Sequence, residues 1–178
     1  MMQLKQLLQA FRNWWLGYKP PIIIESPSLP HPQETQNFQD VDLTLLLNNW
    51  FAQWGVPYKH RAFWRGWNIV LIKNLSYQGK SYPALTYPDR TEIDPIWANC
   101  GVVAHELAHV SWTYLSEEQR LKFESIYMSL RDSGMIQHMR KQTDYYADTN
   151  MQEAHSECYR YLGQQVNSQL REFYPRLI

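Results

Sequence analysis

The chain has little cysteine and no excess of charge of either sign. Only Cys100 and Cys158 occur among its 178 residues, too few for the disulfide framework of a small secreted protein and spaced unlike a CxxC metal site. We therefore predict two reduced, buried thiols. Lys plus Arg and Asp plus Glu both total 17, so the sequence lacks the positive charge that attracts nucleic acid, and we expect no nucleic-acid partner.

Long apolar runs are missing as well. No stretch approaches the roughly 20 apolar residues of a membrane-spanning helix. Residues 1–18 contain polar interruptions where a signal peptide has a continuous apolar core. We therefore expect a cytoplasmic protein with no transmembrane segment, although export without a leader stays open.

Residues 1–38 differ in pattern from the rest of the chain. Apolar and aromatic residues there recur at helical spacing, namely Leu4, Leu7, Leu8, Phe11, Trp14, Trp15 and Tyr18. They predict an amphipathic helix, which could contact a membrane or a partner or dock on its own domain. Five prolines between Pro20 and Pro32 then predict an extended tether. A single compact domain is predicted over residues 39–178.

The most informative segment is the HExxH motif at residues 105–109, which lies in otherwise uncharged sequence. On a helix, His105 and His109 lie one turn apart on one face, so both imidazoles can bind one tetrahedral Zn²⁺. Glu106 lies beside them, where it can hold a water molecule as a general base. Burying these ionisable groups among apolar neighbours is costly unless a metal and water satisfy them. The motif thus predicts a zinc site suited to peptide hydrolysis.

Caps, turns and apolar periodicity predict the order of the secondary structure. Asp94 and Pro95 are expected to start the motif helix, and Ser116 opens a capping box for the next one. The predicted helices span residues 42–54, 96–115, 117–131 and 151–165, and the predicted strands span residues 67–72, 81–87 and 90–93. This order indicates an α+β fold, with a small mixed sheet before the motif helix and a helical C-terminal part after it.

Two histidines need a third protein ligand. Trp112 and Leu115 stand where a metzincin has Gly and His, so that class is excluded. Glu117 and Glu118 fall in the first turn of the next helix, where capping and the helix dipole account for them. Glu124 borders an apolar face and is interpreted as a solvated residue. The best candidates therefore lie further along the chain.

Glu153 and Glu157 are one helical turn apart. One carboxylate can bind Zn²⁺ while the other accepts the remaining ring N–H of a ligating histidine. His155 is an alternative ligand. It is two positions from Glu153 and about 200° around the helix, so if His155 bound the metal, Glu153 and Glu157 would both point away from the site. The alternative for Glu157 is an i, i+3 surface pair with Arg160.

The segment 146–160 also resembles a known group of metallopeptidases. Its pattern is Tyr146-x-x-Thr149-Asn150-x-x-Glu153-x-x-x-Glu157-x-x-Arg160. This pattern, at a similar distance from the motif, resembles the catalytic domain of anthrax lethal factor, and Mlc-titration-factor peptidases and clostridial Pro-Pro endopeptidases share a related arrangement. The resemblance implies a zincin-like fold, with Glu153 as third zinc ligand, Glu157 as support for the ligands and Tyr146 as a hydrogen-bond donor to the transition state.

The function expected from the sequence is zinc-dependent hydrolysis of a protein or peptide substrate, with Glu106 as general base. Tyr146 is the expected oxyanion donor and Tyr145 its competitor. The substrate is expected to pair with an edge strand, at residues 82–87 or 90–93. Two alternatives stay open: a zinc-binding interaction or effector module with little hydrolysis, and a hydrolase of non-peptide amides. Glu106 argues against the module, because a structural zinc site needs four protein ligands and no base.

Overall fold

The computed structural model describes residues 41–178, so the helix and tether predicted over residues 1–38 lie outside the described part of the chain. The helices are α1 (Leu43–Gln53), α2 (Tyr58–Arg65), α3 (Cys100–Thr113), α4 (Glu117–Asp132), α5 (Gln137–Gln142) and α6 (Met151–Leu162). The strands are β1 (Ile69–Leu71), β2 (Ser76–Tyr77), β3 (Lys80–Ser81), β4 (Ala84–Thr86) and β5 (Thr91–Ile93). The predicted α+β class is confirmed. No helix among the described residues is both long and apolar enough to cross a membrane.

Three of the strands form a small mixed sheet in the order β1-β5-β4. β1 runs parallel to β5, with Ile69 opposite Thr91, and β4 runs antiparallel to β5, with Thr86 opposite Thr91. β4 is therefore an edge strand of the described sheet, and it packs against α3. β2 and β3 form a separate hairpin. Next to it, Leu75, Tyr82 and Leu85 make a second, smaller apolar cluster.

The helix that carries HExxH is the central element of the fold. Every residue of α3 from Val102 to Trp112 is buried, including the ionisable ones. A helix that is buried on all sides needs partners around it, and α6 provides the most extensive of these contacts. α1 and β4 cover further parts of its surface. The ionisable side chains of α3 therefore lie inside the protein.

The start of the motif helix differs from its prediction. Asp94 does cap a helical turn, but this is only the 3₁₀ turn Pro95–Trp97, and the chain becomes extended at Ala98. Asn99 then caps α3, where its side-chain oxygen accepts a hydrogen bond of 3.0 Å from the N–H of Val102. The prediction that Asp94 and Pro95 start this helix is wrong, because the chain is extended at Ala98 and a second cap, Asn99, starts the helix five residues later.

Burial varies among the strands and differs between the two cysteines. Strand β1 is only half-buried, whereas β4 and β5 are buried. Both cysteines are free thiols, but only Cys158 is buried, while Cys100 in the first turn of α3 is half-exposed. Burial raises the pKa of both thiols, which therefore stay protonated at neutral pH.

Candidate metal centre

The two histidines of the motif point to the same place. His105 and His109 lie one turn apart on α3, and their Nε2 atoms are 2.9 Å from each other. Both imidazoles are almost completely buried. Two ring nitrogens this close, away from water, require a proton or a metal ion between them, because two lone pairs would repel.

Helix α6 brings a carboxylate to the same point. Asn150 caps this helix by accepting hydrogen bonds of 3.0 Å from the N–H groups of Gln152 and Glu153, which places Glu153 in the first turn. Its Oε2 lies 3.2 Å from Nε2 of His105 and 3.5 Å from Nε2 of His109. This oxygen is buried and has no hydrogen-bond partner among the described residues.

These three atoms fit a tetrahedral metal ion. Zn²⁺ with bonds of about 2.0–2.1 Å keeps neighbouring tetrahedral ligands roughly 3.3 Å apart. The sides of the triangle formed by the two ring nitrogens and the carboxylate oxygen are 2.9, 3.2 and 3.5 Å. His105, His109 and Glu153 therefore form a group of buried metal-type ligands. A fourth ligand, either a ring nitrogen or a carboxylate oxygen, would complete the tetrahedral coordination. With three protein ligands, one coordination position stays available to another molecule.

The charges at this point also favour a cation. Burial opposes the positive form of His105, but the carboxylates of Glu153 and Glu157 outweigh it and raise the pKa of this imidazole to about 10. Burial likewise opposes the negative form of Glu153, but the two histidines outweigh it and lower its pKa to about 2. In the absence of a metal the cluster thus holds a proton, which a metal ion must displace.

Glu157 lies behind His105. Its Oε1 is 2.9 Å from Nδ1, the ring nitrogen that faces away from His109 and Glu153, although the N–H does not point straight at the oxygen. The same oxygen lies 3.4 Å from Nη1 of Arg160. The i, i+3 pair with Arg160 therefore exists, but it is not a surface pair, because Glu157 is completely buried. Glu157 is positioned to orient the His105 ring.

His155, the alternative ligand, belongs to the core. Its ring stacks on Tyr174 at 4.3 Å between centroids, and its Nε2 lies 2.8 Å from the carbonyl oxygen of Phe173. Burial lowers its pKa to about 3, so it is neutral. His155 therefore does not share the face of α6 that carries Glu153. Glu124 is half-exposed on α4, outside the three-ligand group.

Tyr146 and Tyr145 face different surroundings. The ring of Tyr146 lies 6.4 Å from that of His105, and its buried hydroxyl lies near the Glu153 carboxylate. Burial raises the pKa of Tyr146, and the negative charges of Glu153 and Glu106 raise it further, so the hydroxyl remains a donor. Tyr145 is 45% exposed and packs against Arg140. Of the two tyrosines, the structure places Tyr146 beside the ligands.

A residue of the sheet forms a hydrogen bond with the side chain of Glu106. The hydroxyl of Thr86, on β4, donates a hydrogen bond of 2.7 Å to Oε2 of Glu106. Both side chains are buried. No sequence motif singles out Thr86. Its place in a predicted strand before the motif helix was the available signal. Its contact with Glu106 depends on how that strand packs on the helix, which the sequence pattern does not predict.

Comparisons with protein-family models, with curated proteins and with solved structures find no match to this chain. The resemblance of segment 146–160 to the lethal factor group therefore stays a prediction that rests on the residues quoted above. The function has to be argued from the geometry of His105, Glu106, His109, Tyr146 and Glu153.

Proposed function

We propose that the protein is a zinc-dependent peptidase with a zincin-like catalytic domain. The observation that carries this proposal is the buried triangle of His105 Nε2, His109 Nε2 and Glu153 Oε2. Structural zinc sites are closed by four protein ligands, whereas catalytic sites have three and keep one position for water or substrate. Glu106 lies on α3, the helix that carries the two histidines. Its carboxylate has no role in a structural zinc site.

The fold around the site supports a peptide as substrate. β4 is an antiparallel edge strand of the described sheet and packs against α3, the helix that carries Glu106, and its three residues are buried. An extended peptide can pair with such an edge through main-chain hydrogen bonds. Of the two segments that the sequence offered as the edge, the sheet order favours the one that contains Ala84–Thr86, because β5 lies between two other strands.

The proposed mechanism assigns one role to each side chain. His105, His109 and Glu153 would hold Zn²⁺, and Glu157 would orient His105. When bound, Zn²⁺ supplies a Lewis acid that polarises the scissile carbonyl and lowers the pKa of a water molecule towards about 7. Glu106 would take a proton from water as the water oxygen attacks the carbonyl carbon, and would deliver it to the amine as the C–N bond breaks. The buried hydroxyl of Tyr146 donates a hydrogen bond to the oxygen that becomes negative in the transition state.

A Glu106→Gln variant tests this proposal. It keeps the size of the side chain and removes the base, so the protein should fold and bind zinc, but hydrolyse a peptide library at least about 10²-fold more slowly than the wild type. Glu118→Gln, an exposed change in the first turn of α4, is the control and should keep full activity. Equal turnover of wild type and Glu106→Gln would exclude the peptidase and favour a zinc-binding interaction module.

A further inference from the structure

Thr86 contacts the side chain that we propose as general base. Its Oγ1 lies 2.7 Å from Oε2 of Glu106 and 3.3 Å from the main-chain oxygen of the same residue. A hydroxyl has one hydrogen to donate, and a carboxylate forms the shorter and stronger bond. Thr86 therefore donates to the carboxylate, and both groups are shielded from competing water.

A chain of hydrogen bonds follows from this direction. Nε1 of Trp67 can only donate, and it lies 3.0 Å from Oγ1 of Thr91. Oγ1 of Thr91 lies 3.3 Å from Oγ1 of Thr86. Because Thr86 uses its hydrogen for the carboxylate, Thr91 must donate to Thr86, and Thr91 in turn accepts from Trp67. Each hydroxyl then donates once and accepts once.

From this arrangement we propose that Thr86 is a positioning residue for Glu106, with Thr91 and Trp67 holding the Thr86 hydroxyl as a donor. This inference rests on the proposed function. A glutamate side chain has three torsions, and one short hydrogen bond to Oε2 fixes its end. The other carboxylate oxygen, Oε1, is then the one that accepts the proton from water.

The contact also joins the base to the strand that we propose as the substrate edge. Thr86 is the last residue of β4, and Thr91, directly opposite in β5, supplies its donor. A peptide that reached the edge of β4, whose residues are buried, would be aligned with the same backbone that positions Glu106. Correct placement of a reacting group by a few tenths of an ångström to 1 Å is worth up to about 10²-fold in rate.

The kinetic test compares Thr86→Val with Thr86→Ser. Valine keeps the shape and removes the hydroxyl, so kcat should fall about 10- to 100-fold while KM and zinc content change less than about 2-fold. Serine keeps the hydroxyl and should restore kcat to within about 3-fold of the wild type. Equal losses of kcat in both variants, or a loss confined to KM, would overturn the positioning role.

A second measurement does not depend on hydrolysis. Thr86→Val should lower the melting temperature of the full-length protein by about 2–6 °C, because it leaves the Glu106 carboxylate buried without its donor. In a Glu106→Ala background the same change should lower it by less than half as much. Equal shifts in both backgrounds would show that Thr86 does not act on Glu106. If the wild type hydrolyses no peptide but the shifts differ, the proposed function fails while the contact stands.

Discussion

Arg140 and Asp148 form a forked ion pair, in which Nε of Arg140 lies 3.1 Å from Oδ1 and 3.0 Å from Oδ2 of the carboxylate. The Tyr127 hydroxyl donates a further hydrogen bond of 2.9 Å to Oδ1. Asp148 ends the 3₁₀ turn that Tyr146 begins. The two residues before this turn, Asp144 and Tyr145, have left-handed φ angles of 47° and 61°. Such angles cost of order 1 kcal/mol each outside glycine, so the ion pair helps to hold a strained turn.

Removing this ion pair should destabilise the protein. Asp148→Asn keeps the size of the side chain but loses the charge, and we expect it to lower the free energy of unfolding by about 1–2 kcal/mol in a urea titration. The matched control is Asp132→Asn, which breaks the exposed pair with Arg131 and should cost less than about 0.5 kcal/mol. If both variants lost the same free energy of unfolding, the partial burial of the Asp148 pair would add nothing to its stabilising effect.

The same pair predicts a dependence on pH. Burial opposes the charge of Asp148, but Arg140 and Tyr127 outweigh it and lower its pKa from the ordinary value of 3.8. A lowered pKa gives stability that is fully present above the ordinary pKa and is lost as the pH falls through the lowered one. The stability difference between wild type and Asp148→Asn should therefore be constant near neutral pH and shrink below about pH 3.8. A difference that grows in acid would contradict this assignment.

Local signals allowed much of the fold to be predicted. The capping box is present as the sequence indicated, with Ser116 and Gln119 each bonding the main-chain N–H of the other. Asp42 caps α1, and Asn150 caps α6. These features depend on residues within one turn of each other. α2 was missed because it has no side-chain cap, and its eight residues mix basic and aromatic side chains.

Contacts between distant segments were harder to predict. Glu106 and Thr86 are 20 positions apart, and their contact depends on how β4 packs on α3. The choice between Tyr145 and Tyr146 depends on the left-handed backbone at Asp144 and Tyr145. The spacing of apolar residues does not predict this backbone conformation. The approach of Glu153 to the two histidines depends on the packing of α6 on α3. For this one contact, the resemblance of segment 146–160 implied Glu153, while helical spacing alone left Glu153, Glu157 and His155 as alternatives.

The metal content of two variants tests the ligand set. The purified protein should contain about one zinc per chain. Glu153→Ala should lose most of it, because only two ligands remain, whereas Glu124→Ala should keep it. Elemental analysis after dialysis measures both, and equal zinc in the two variants would remove Glu153 from the site.

Removal of the metal should also lower stability. Zinc binds the folded chain, so a chelator should reduce the melting temperature of the wild type by several degrees. Glu153→Ala, which has little zinc to lose, should respond to the chelator much less. A chelator effect of the same size in both proteins would place the stabilising metal elsewhere.

The two adjacent tyrosines give the most direct test of the proposed chemistry. The Tyr146 hydroxyl is buried beside the ligands, and in the proposed mechanism its hydrogen bond to the oxyanion forms only in the transition state. Tyr146→Phe should therefore lower kcat by about 10- to 10³-fold while KM, zinc content and melting temperature stay nearly unchanged. Tyr145→Phe should have little effect, because that side chain is exposed against Arg140. If Tyr146→Phe instead lowered the melting temperature and left kcat unchanged, the tyrosine would serve packing alone, and the oxyanion would have to be stabilised by another group.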